Sequence, residues 1–484
     1  MSNVDSYLQD VIKKGDQGSE LLEKICAPTL RNSMHVDRIT EGINGINVIR
    51  PEEHLIVVHS AGGDPEKRDL AEYAESAVER LVEQAGMIGA EPAAFADVID
   101  SRTGDSAVLE AIANAFARIA GKYGLAIVNG ENAILGERIS YDANVSVTMI
   151  SLLKKEKWKD ELPMAKALRK QQCFAVFDPK CMAVYMNSDG VGTKTEFYER
   201  AERYEPAVSD FMAMNLDDLA KIGAAARVIS GVVEIRGDIP FKDIDTEARR
   251  LAGIHDCICI MATEHVGERI RGYADEAPSY NISGSAVSVI DEERLKNPLR
   301  PSAGESLIAI AGKPNPRSNG ITDKRKTMIR LFGNNWHSSE DGRRFLQYLA
   351  APSTILYLVF EELIEEGLAT SVYHMSGGAY NGKLAKPLAK HGMHVRIDDL
   401  FPPHWVELAL AGADFTSAEA AYAKWPMGND GFITTKEPKE AIKVIREWGV
   451  KAREVGILEN AADGRAGVEL KACNGENVYF SGKE

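Results

Sequence analysis

The stretch Asn187-Ser188-Asp189-Gly190-Val191-Gly192-Thr193-Lys194 places one acid, two glycines, a hydroxyl and a lysine within six residues. A carboxylate offers hard oxygen to a metal ion, and a lysine brings a mobile positive charge toward phosphate. Gly190 and Gly192 permit positive φ and close backbone approach. The plain reading is a tight strand-to-helix turn with solvated ends. A loop this short cannot enclose a nucleotide, so a phosphate-and-metal site built on it needs a second half elsewhere in the chain.

The elements around this loop recur. HLIVVH (54–59) runs into a helical segment ending in IGAEP. Then come a strand (AAFADVI), a helix (SAVLEAIANAFARIAGKYG), LAIVNGEN and the alternating strand NVSVTMISLL. The same order returns with AVYMNSDGVGTK, SDFMAMNLDDLAKIGAAA, RVISGVVEI, DIDTEARRLAGIHD, CICIMATEH and AVSVI. IGAEP at Ile88 answers IGAAA at Ile222, an offset of 134 (222 − 88), and GERI occurs at Gly136 and Gly267, an offset of 131 (267 − 136). These patterns predict an α+β protein with tandem ferredoxin-like copies, β-α-β-β-α-β, at 51–153 and 181–293. A segment 1–50 precedes them, a charged linker covers 154–180, and a C-terminal α/β domain spans 300–484. The linker lysines read as a solvated helix face.

At 484 residues the chain exceeds one hydrophobic core. Its 44% hydrophobic and 27% charged residues describe an ordinary globular protein. A formal charge of −15 argues against non-specific nucleic-acid or anionic-membrane binding. Local phosphate binding through glycine loops, lysines or metal stays open. Cys26, Cys173, Cys181, Cys257, Cys259 and Cys473 form no CxxC pair, which fits a reducing compartment. The alternation in CICI puts Cys257 and Cys259 on one strand face as small hydrophobes. The start, MSNVDSYLQDVIKKGD, is too polar for a signal peptide, and no apolar run approaches the ~20 residues of a bilayer span. The expectation is a cytoplasmic protein acting on a small molecule, without nucleic-acid or membrane partners.

DGVGTK, followed by MNLDDLAKIGA and later by SNG and HMSGGAY, resembles the aminoimidazole ribonucleotide synthetase family, the phosphoribosylformylglycinamidine cyclo-ligases. SYLQDVIKKGDQG looks like that family's N-terminal lid. ARVISGVVEI through GESLIAIAGKPNPRSNG follows the passage from its first domain to its second, and MGNDGFITT with KVIREWGVKAREVGIL resembles its closing region. The resemblance implies an ATP-dependent ring closure in purine biosynthesis. The formyl oxygen of formylglycinamidine ribonucleotide is activated by phosphorylation, the amidine nitrogen attacks, and phosphate leaves as aminoimidazole ribonucleotide forms. ATP and Mg2+ are the implied cofactors; potassium is left open.

The resemblance further implies Asp189, Asp218 and Glu131 as metal ligands. It implies Asn129, Gly130, Glu131, Gly190, Gly192, Thr193 and Lys194 as the nucleotide site, with Lys194, Asp217 and His374 as catalytic groups. Asp217 stands where the family has asparagine; on a helix it points about 100° away from Asp218, so both rarely ligate one ion. In the family's homodimers a Gly-Gly-Glu-Thr stretch completes the site from the neighbouring subunit. Copy one keeps Asn129-Gly130-Glu131-Asn132, whereas copy two reads Ala262-Thr263-Glu264-His265. Conversely, copy one has SAGGDPEK, with Ala61 in place of the aspartate and Gln84 at the second aspartate position. Each copy retains what the other lacks. An intramolecular pseudo-dimer barrel with one composite site per chain is therefore expected, with further homodimerisation open. The plainer reading of NGEN is a turn after a buried strand.

Ser318, Asn319 and Gly320, with Ser376, Gly377 and Gly378, are the expected substrate-binding residues; alternatively Ser318 caps the following helix. His374 is read as a hydrogen-bond donor or proton shuttle, or as a structural strand-end histidine. Asn429 and Asp430 fit a glycine-rich turn of the family or a simple hairpin turn, and Phe211, Met212 and Met214 fit the core. Two departures bear on the substrate. Ala351-Pro352-Ser353-Thr354 lacks the arginine of the family's Ala-Pro-Thr-Arg, and the residues around Lys13 and Asp16 differ.

The alternatives are another ATP-dependent enzyme of the superfamily with an amide-like substrate, or an ATP-binding pseudoenzyme. Cys26, in KICAPT, does not match the reactive position of selenophosphate synthetases. Hydrogenase-maturation relatives end in cysteine, whereas this sequence ends Gly-Lys-Glu. Thiamine-monophosphate kinases are shorter, and formylglycinamidine synthetase needs an ammonia source.

Overall fold

The computed structural model describes residues 17–43, 45–158, 174–462 and 464–482. Lys13 and Asp16 of the expected lid, and most of the linker, lie outside the described residues. The chain divides into two compact units: Ser6–Phe211 with Ala224–Pro298, and Met212–Gly223 with Leu299–Glu484. The helix Ala207–Ala220 is divided between them, so Asp210 falls in the N-terminal unit and Asp217 and Asp218 in the C-terminal one.

The N-terminal unit holds two sheets. One is built from β3 (His54–Gly62), β4 (Glu91–Ser101), β5 (Ala126–Ile134), β6 (Ala143–Lys154) and β7 (Ala175–Phe177), in the order β5-β4-β6-β3-β7. The other contains β1 (Val36–Arg38), β2 (Asn47–Ile49), β8 (Ala183–Gly190), β9 (Ala225–Arg236), β10 (Ile258–His265) and β11 (Ser279–Ile290), in the order β1-β2-β8-β11-β9-β10. The four-strand run β5-β4-β6-β3 thus has the arrangement of β10-β9-β11-β8.

The ferredoxin-like expectation is corrected. Each set runs β-α-β-α-β-β, because the helix Ser106–Tyr123 separates β4 from β5 and the helix Phe241–Ile254 separates β9 from β10. Both of those strand pairs are parallel. A parallel neighbour requires a crossover of helical length, where a ferredoxin-like unit would place a hairpin.

Local chemistry explains the helices. Asp69 accepts a hydrogen bond from the Glu72 N–H and starts Leu70–Met87, which buries Tyr73, Ala74, Ala77, Val78 and Leu81 on one face. Asp105 caps Ser106–Tyr123 in the same way, and Gly124, at φ 68°, closes it in the left-handed conformation.

The two sheets share one core, and its chemistry changes along the strands. Ile56, Val58, Ile150 and Leu152 pack with Val184, Met186, Val287 and Val289. Two to four residues further along the strands the facing positions become hydroxyls. Ser60 meets Ser230 at 2.5 Å and Thr148 at 2.8 Å, Ser146 meets Ser283 at 2.8 Å, and Ser188 meets Ser285 at 2.8 Å. Beyond them lie Asp100, Asn144, Glu234 and Asn281, all buried. Period-two alternation puts these residues on the same faces as the aliphatic ones.

The C-terminal unit carries a seven-stranded sheet: β12 (Ser306–Ala311), β13 (Ser371–His374), β14 (Met393–Ile397), β15 (Gly431–Thr435), β16 (Lys451–Asn460), β17 (Gly467–Lys471) and β18 (Asn477–Phe480), ordered β13-β15-β12-β16-β14-β17-β18. Only β14 and β17 pair in parallel. The expected α/β label is accordingly corrected to a mostly antiparallel mixed sheet with helices, and the whole chain is α+β. Among the described residues no helix is long and apolar enough to cross a membrane.

Candidate functional site

Asp189 and Gly190 end β8, paired in register with Gly284 and Ser283 of β11. A Cβ at Gly284 would lie 2.2 Å from the Ser230 carbonyl oxygen, so glycine there lets β11 approach β9. Gly192 adopts φ 65° and turns the chain into the short helix Thr195–Arg200. The Asp189 carboxylate accepts a hydrogen bond from the Gly190 N–H at 2.7 Å.

Lys194 does not match the expected mobile cation. It is fully buried, its ammonium donates to Asp210 Oδ1 at 2.6 Å, and Tyr198 Oη donates to the other oxygen of Asp210. A buried ammonium needs a carboxylate, and the first turn of the helix Ala207–Ala220 supplies it. Thr193 is buried as well, while Asp189, Gly190, Gly192 and Glu131 remain half-buried.

β5, carrying Asn129, Gly130 and Glu131, lies beside β8 across the two sheets: Asn129 Nδ2 donates to the Met186 carbonyl at 2.8 Å. Gly130 is opposite Asp97 in register, and a Cβ at Gly130 would sit 3.2 Å from the Asp97 carboxylate. Burial pushes the Asp97 carboxyl up to about 7.

The register also corrects the alignment of the two copies. Ile88 and Ile222 set an offset of 134, which equates Asp100 with Glu234. Asp100 pairs with Ala133 and Glu234 with Glu264, so Glu264 occupies the position of Ala133 and not that of Glu131. The irregularity between Phe95 and Ala96 in the β4–β5 pairing, which passes over Val128, supplies one residue of this two-residue slip. Glu264 instead accepts from Arg80 at 2.6 Å and from the Gly62 N–H at 3.3 Å, while Arg80 also donates to the Gly62 carbonyl at 2.7 Å. A guanidinium therefore fills the copy-one counterpart of the acidic loop.

Arg138 was missed. From the GERI turn of copy one it enters the helix after the acidic loop, donating to Glu199 through both terminal nitrogens (2.6 and 2.7 Å), to Thr195 Oγ1 at 3.0 Å and to the Tyr280 carbonyl at 3.2 Å. Burial opposes its charge, but Glu199 outweighs that and raises its pKa. Its counterpart Arg269 stacks 3.7 Å from the Tyr73 ring centre and donates to the Lys67 carbonyl. The two turns bond reciprocally: Ser140 N–H to Arg269 O and Arg271 N–H to Arg138 O, both 2.9 Å. A signal existed, since both repeats of GERI carry the arginine.

In the C-terminal unit the SNG and SGG loops come together, with Asn319 Nδ2 donating to the Ser376 carbonyl at 2.7 Å. Gly320, at φ 60°, begins the helix Ile321–Phe332 without a side-chain cap, so Ser318 is not the cap. The Ser318 hydroxyl oxygen is buried and has no hydrogen-bond partner among the described residues. Gly378 takes φ 84°, and beside Gly377 the space is open.

Asp217 accepts from Arg317 Nη2 at 3.0 Å and from the Leu356 N–H at 2.8 Å, and both charged side chains are fully buried. Arg317 also donates to the Thr354 carbonyl at 3.0 Å and lies 3.3 Å from His374 Nδ1. A guanidinium only donates, so Nδ1 accepts and Nε2 carries the proton. That nitrogen lies 2.5 Å from Asp218 Oδ1 and 3.1 Å from Ser376 Oγ. Burial works against the charged form of Asp218, but Lys221, His374 and Lys383 outweigh it and hold its carboxyl well below the usual range. Asp217 is thus a structural counter-ion, and Arg317 supplies a guanidinium beside the Ala351–Thr354 segment that lacks one.

Asn429 holds a turn through the Phe401 and Met427 backbone. Phe211, Met212 and Met214 are buried. Among the described residues no three His, Cys, Asp or Glu side chains group to hold a metal by themselves.

Residues 46–152 match the family model described as AIR synthase related protein, N-terminal domain. The phosphoribosylformylglycinamidine cyclo-ligase of Clostridium perfringens (strain ATCC 13124) is 24% identical over 284 residues, 57% of this chain and 81% of that protein. The Brevibacillus brevis protein of the same name is 25% identical, over 56% of this chain and 79% of its own. Among solved structures, the hydrogenase maturation protein HypE of E. coli is similar over 61% of this chain and 84% of its own, at 16% identity and a TM-score of 0.43.

Proposed function

We propose, from this kinship with the AIR synthase related proteins, that the chain is an ATP-dependent ligase closing the imidazole ring of formylglycinamidine ribonucleotide. The observation that carries the reading is the joining of the SNG and SGG loops beside His374, whose Nε2–H faces Asp218 and Ser376. The exposed backbone at Gly377 and the Ser318 hydroxyl, without a partner among the described residues, suit a phosphate-bearing substrate. His374, fixed in one tautomer by Arg317, is placed to give a proton and receive it back.

For a nucleotide, the N-terminal unit offers donors of its own. Asp189 and Glu131 fit Mg2+, being oxygen donors on adjoining strands and only half-buried; phosphate oxygens complete such a shell. Bound Mg2+ neutralises polyphosphate charge. Lys194 positions the loop through Asp210. The recurrence of one strand arrangement and the reciprocal bonds between the GERI turns support duplication and an internal pseudo-dimer, since a two-fold interface repeats each contact with roles exchanged. The Arg80–Glu264 pair supports a single live site.

The test is to incubate purified protein with Mg-ATP and formylglycinamidine ribonucleotide and assay phosphate and the aminoimidazole together. Matching yields are expected; no product despite ATP binding would reject the reading. Asp217 and Arg317 favour one second reading, an ATP-dependent enzyme with another amide-like substrate, because they put a fixed ion pair where the family resemblance implies asparagine.

A further inference from the structure

At the polar end of the space between the two sheets, four side chains converge: Asp100 on β4, Asn144 on β6, Glu234 on β9 and Asn281 on β11. None is more than 4% exposed. Asn281 Nδ2 donates to Asp100 Oδ2 at 2.7 Å and to Glu234 Oε2 at 3.3 Å, and Asn144 Nδ2 donates to Glu234 Oε2 at 3.2 Å. Both amide donors are thereby used, and each side chain is left with one further oxygen. Asp100 Oδ1, Asn144 Oδ1, Glu234 Oε1 and Asn281 Oδ1 are all buried without a hydrogen-bond partner among the described residues. Buried acceptors left in this way cost roughly 1–3 kcal/mol each, and more when charged. Four such acceptors together, from four strands, call for a cation or a hydrogen-bond donor among them.

We infer that these four oxygens form a binding site for a hard divalent cation, separate from the Mg2+ proposed for Asp189 and Glu131. Two carboxylates balance a double charge, and the two amide oxygens extend the shell. Ca2+ fits better than Mg2+: it accepts many protein oxygens in flexible geometry, whereas Mg2+ gives up its waters reluctantly and this site is closed to solvent. Arg269 is a cation whose field reaches Glu234, but its Nη2 donates to the Lys67 carbonyl and its plane lies against the Tyr73 face, with Nε buried and without a hydrogen-bond partner among the described residues. The position also makes sense of the repeat. Asp100 and Glu234 are equivalent at an offset of 134 (234 − 100), and Asn144 and Asn281 at 137 (281 − 144), so each copy contributes one acid and one amide. The ion would tie the copies together where their shared core has turned polar.

The test uses nucleotide-free full-length protein stripped with EDTA, so that it stands whether or not the enzyme turns over ATP. Titration with CaCl2, followed by calorimetry and melting temperature, is expected to show one Ca2+ per chain, a higher melting point and weaker binding of Mg2+. D100N/E234Q should bind Ca2+ at least tenfold more weakly, and Asn144→Asp should bind it more tightly. A folded wild-type protein that takes up no Ca2+, as two protonated acids would, overturns the inference. So does a D100N/E234Q variant that titrates like wild type, or an Asn144→Asp variant destabilised without rescue by Ca2+.

Discussion

Single side chains already separate the two halves of the repeat. Asp189 is the half-buried acid of the loop, whereas Glu264 is spent on Arg80. Asp189→Ala is expected to abolish ATP-dependent phosphate release, while Glu264→Gln retains it and lowers stability by about 1 kcal/mol, as loss of a partly exposed pair should. Phosphate assays and thermal melts separate the two; equal loss of activity would contradict a single live site. His59 offers a pH test. Burial, opposed only by its contact with Gln84, lowers its pKa from 6.5 to about 4. The unfolded chain therefore binds the extra proton first, and stability falls as pH drops from about 6.5 to about 4, by roughly 3 kcal/mol in all. Position 59 corresponds to Asn187 at an offset of 128 (187 − 59). His59→Asn should fold and flatten that part of the acid limb in melts across this pH range.

At the scale of elements, turns decide where the chemistry sits. Gly320 opens the helix Ile321–Phe332 in the left-handed region, and a Cβ there would come within 2.0 Å of the Trp425 indole nitrogen. Gly320→Ala should destabilise the C-terminal unit by about 2 kcal/mol or more, through strain and overpacking. The substrate KM should rise with it, because Asn319 ties this turn to Ser376. Denaturant unfolding and steady-state kinetics test the two effects. The SNG and SGG signals were legible as polar, glycine-rich loops. Their joining was not, because 57 residues and a change of strand separate Asn319 from Ser376. The ferredoxin-like reading failed at the same scale: a helix lies between β4 and β5 and between β9 and β10, an order the segments already carry, and it demands parallel crossovers where a ferredoxin-like unit has a hairpin.

For the N-terminal unit as a whole, a buried ion pair joins the GERI turn of the first strand set to the helix Thr195–Arg200 of the second. Arg138 and Glu199 are both buried, so Arg138→Ala strands a carboxylate and should cost about 3–5 kcal/mol. R138M/E199L, which removes both charges and keeps volume, should recover most of that loss in chemical denaturation. A double variant no more stable than the single one would show that Arg138 acts by packing alone. The sequence by itself determined that one order of segments and two short identities recur, where strands and helices lie, and which loops carry acids and glycines, because periodicity, capping and short identities are local. Only the tertiary structure decided which charge answers which. Lys194 turned inward to Asp210, Arg138 crossed 61 residues to Glu199, and Arg317 crossed 100 to Asp217. A buried charge must find its partner wherever packing puts one, and no spacing along the chain encodes that distance.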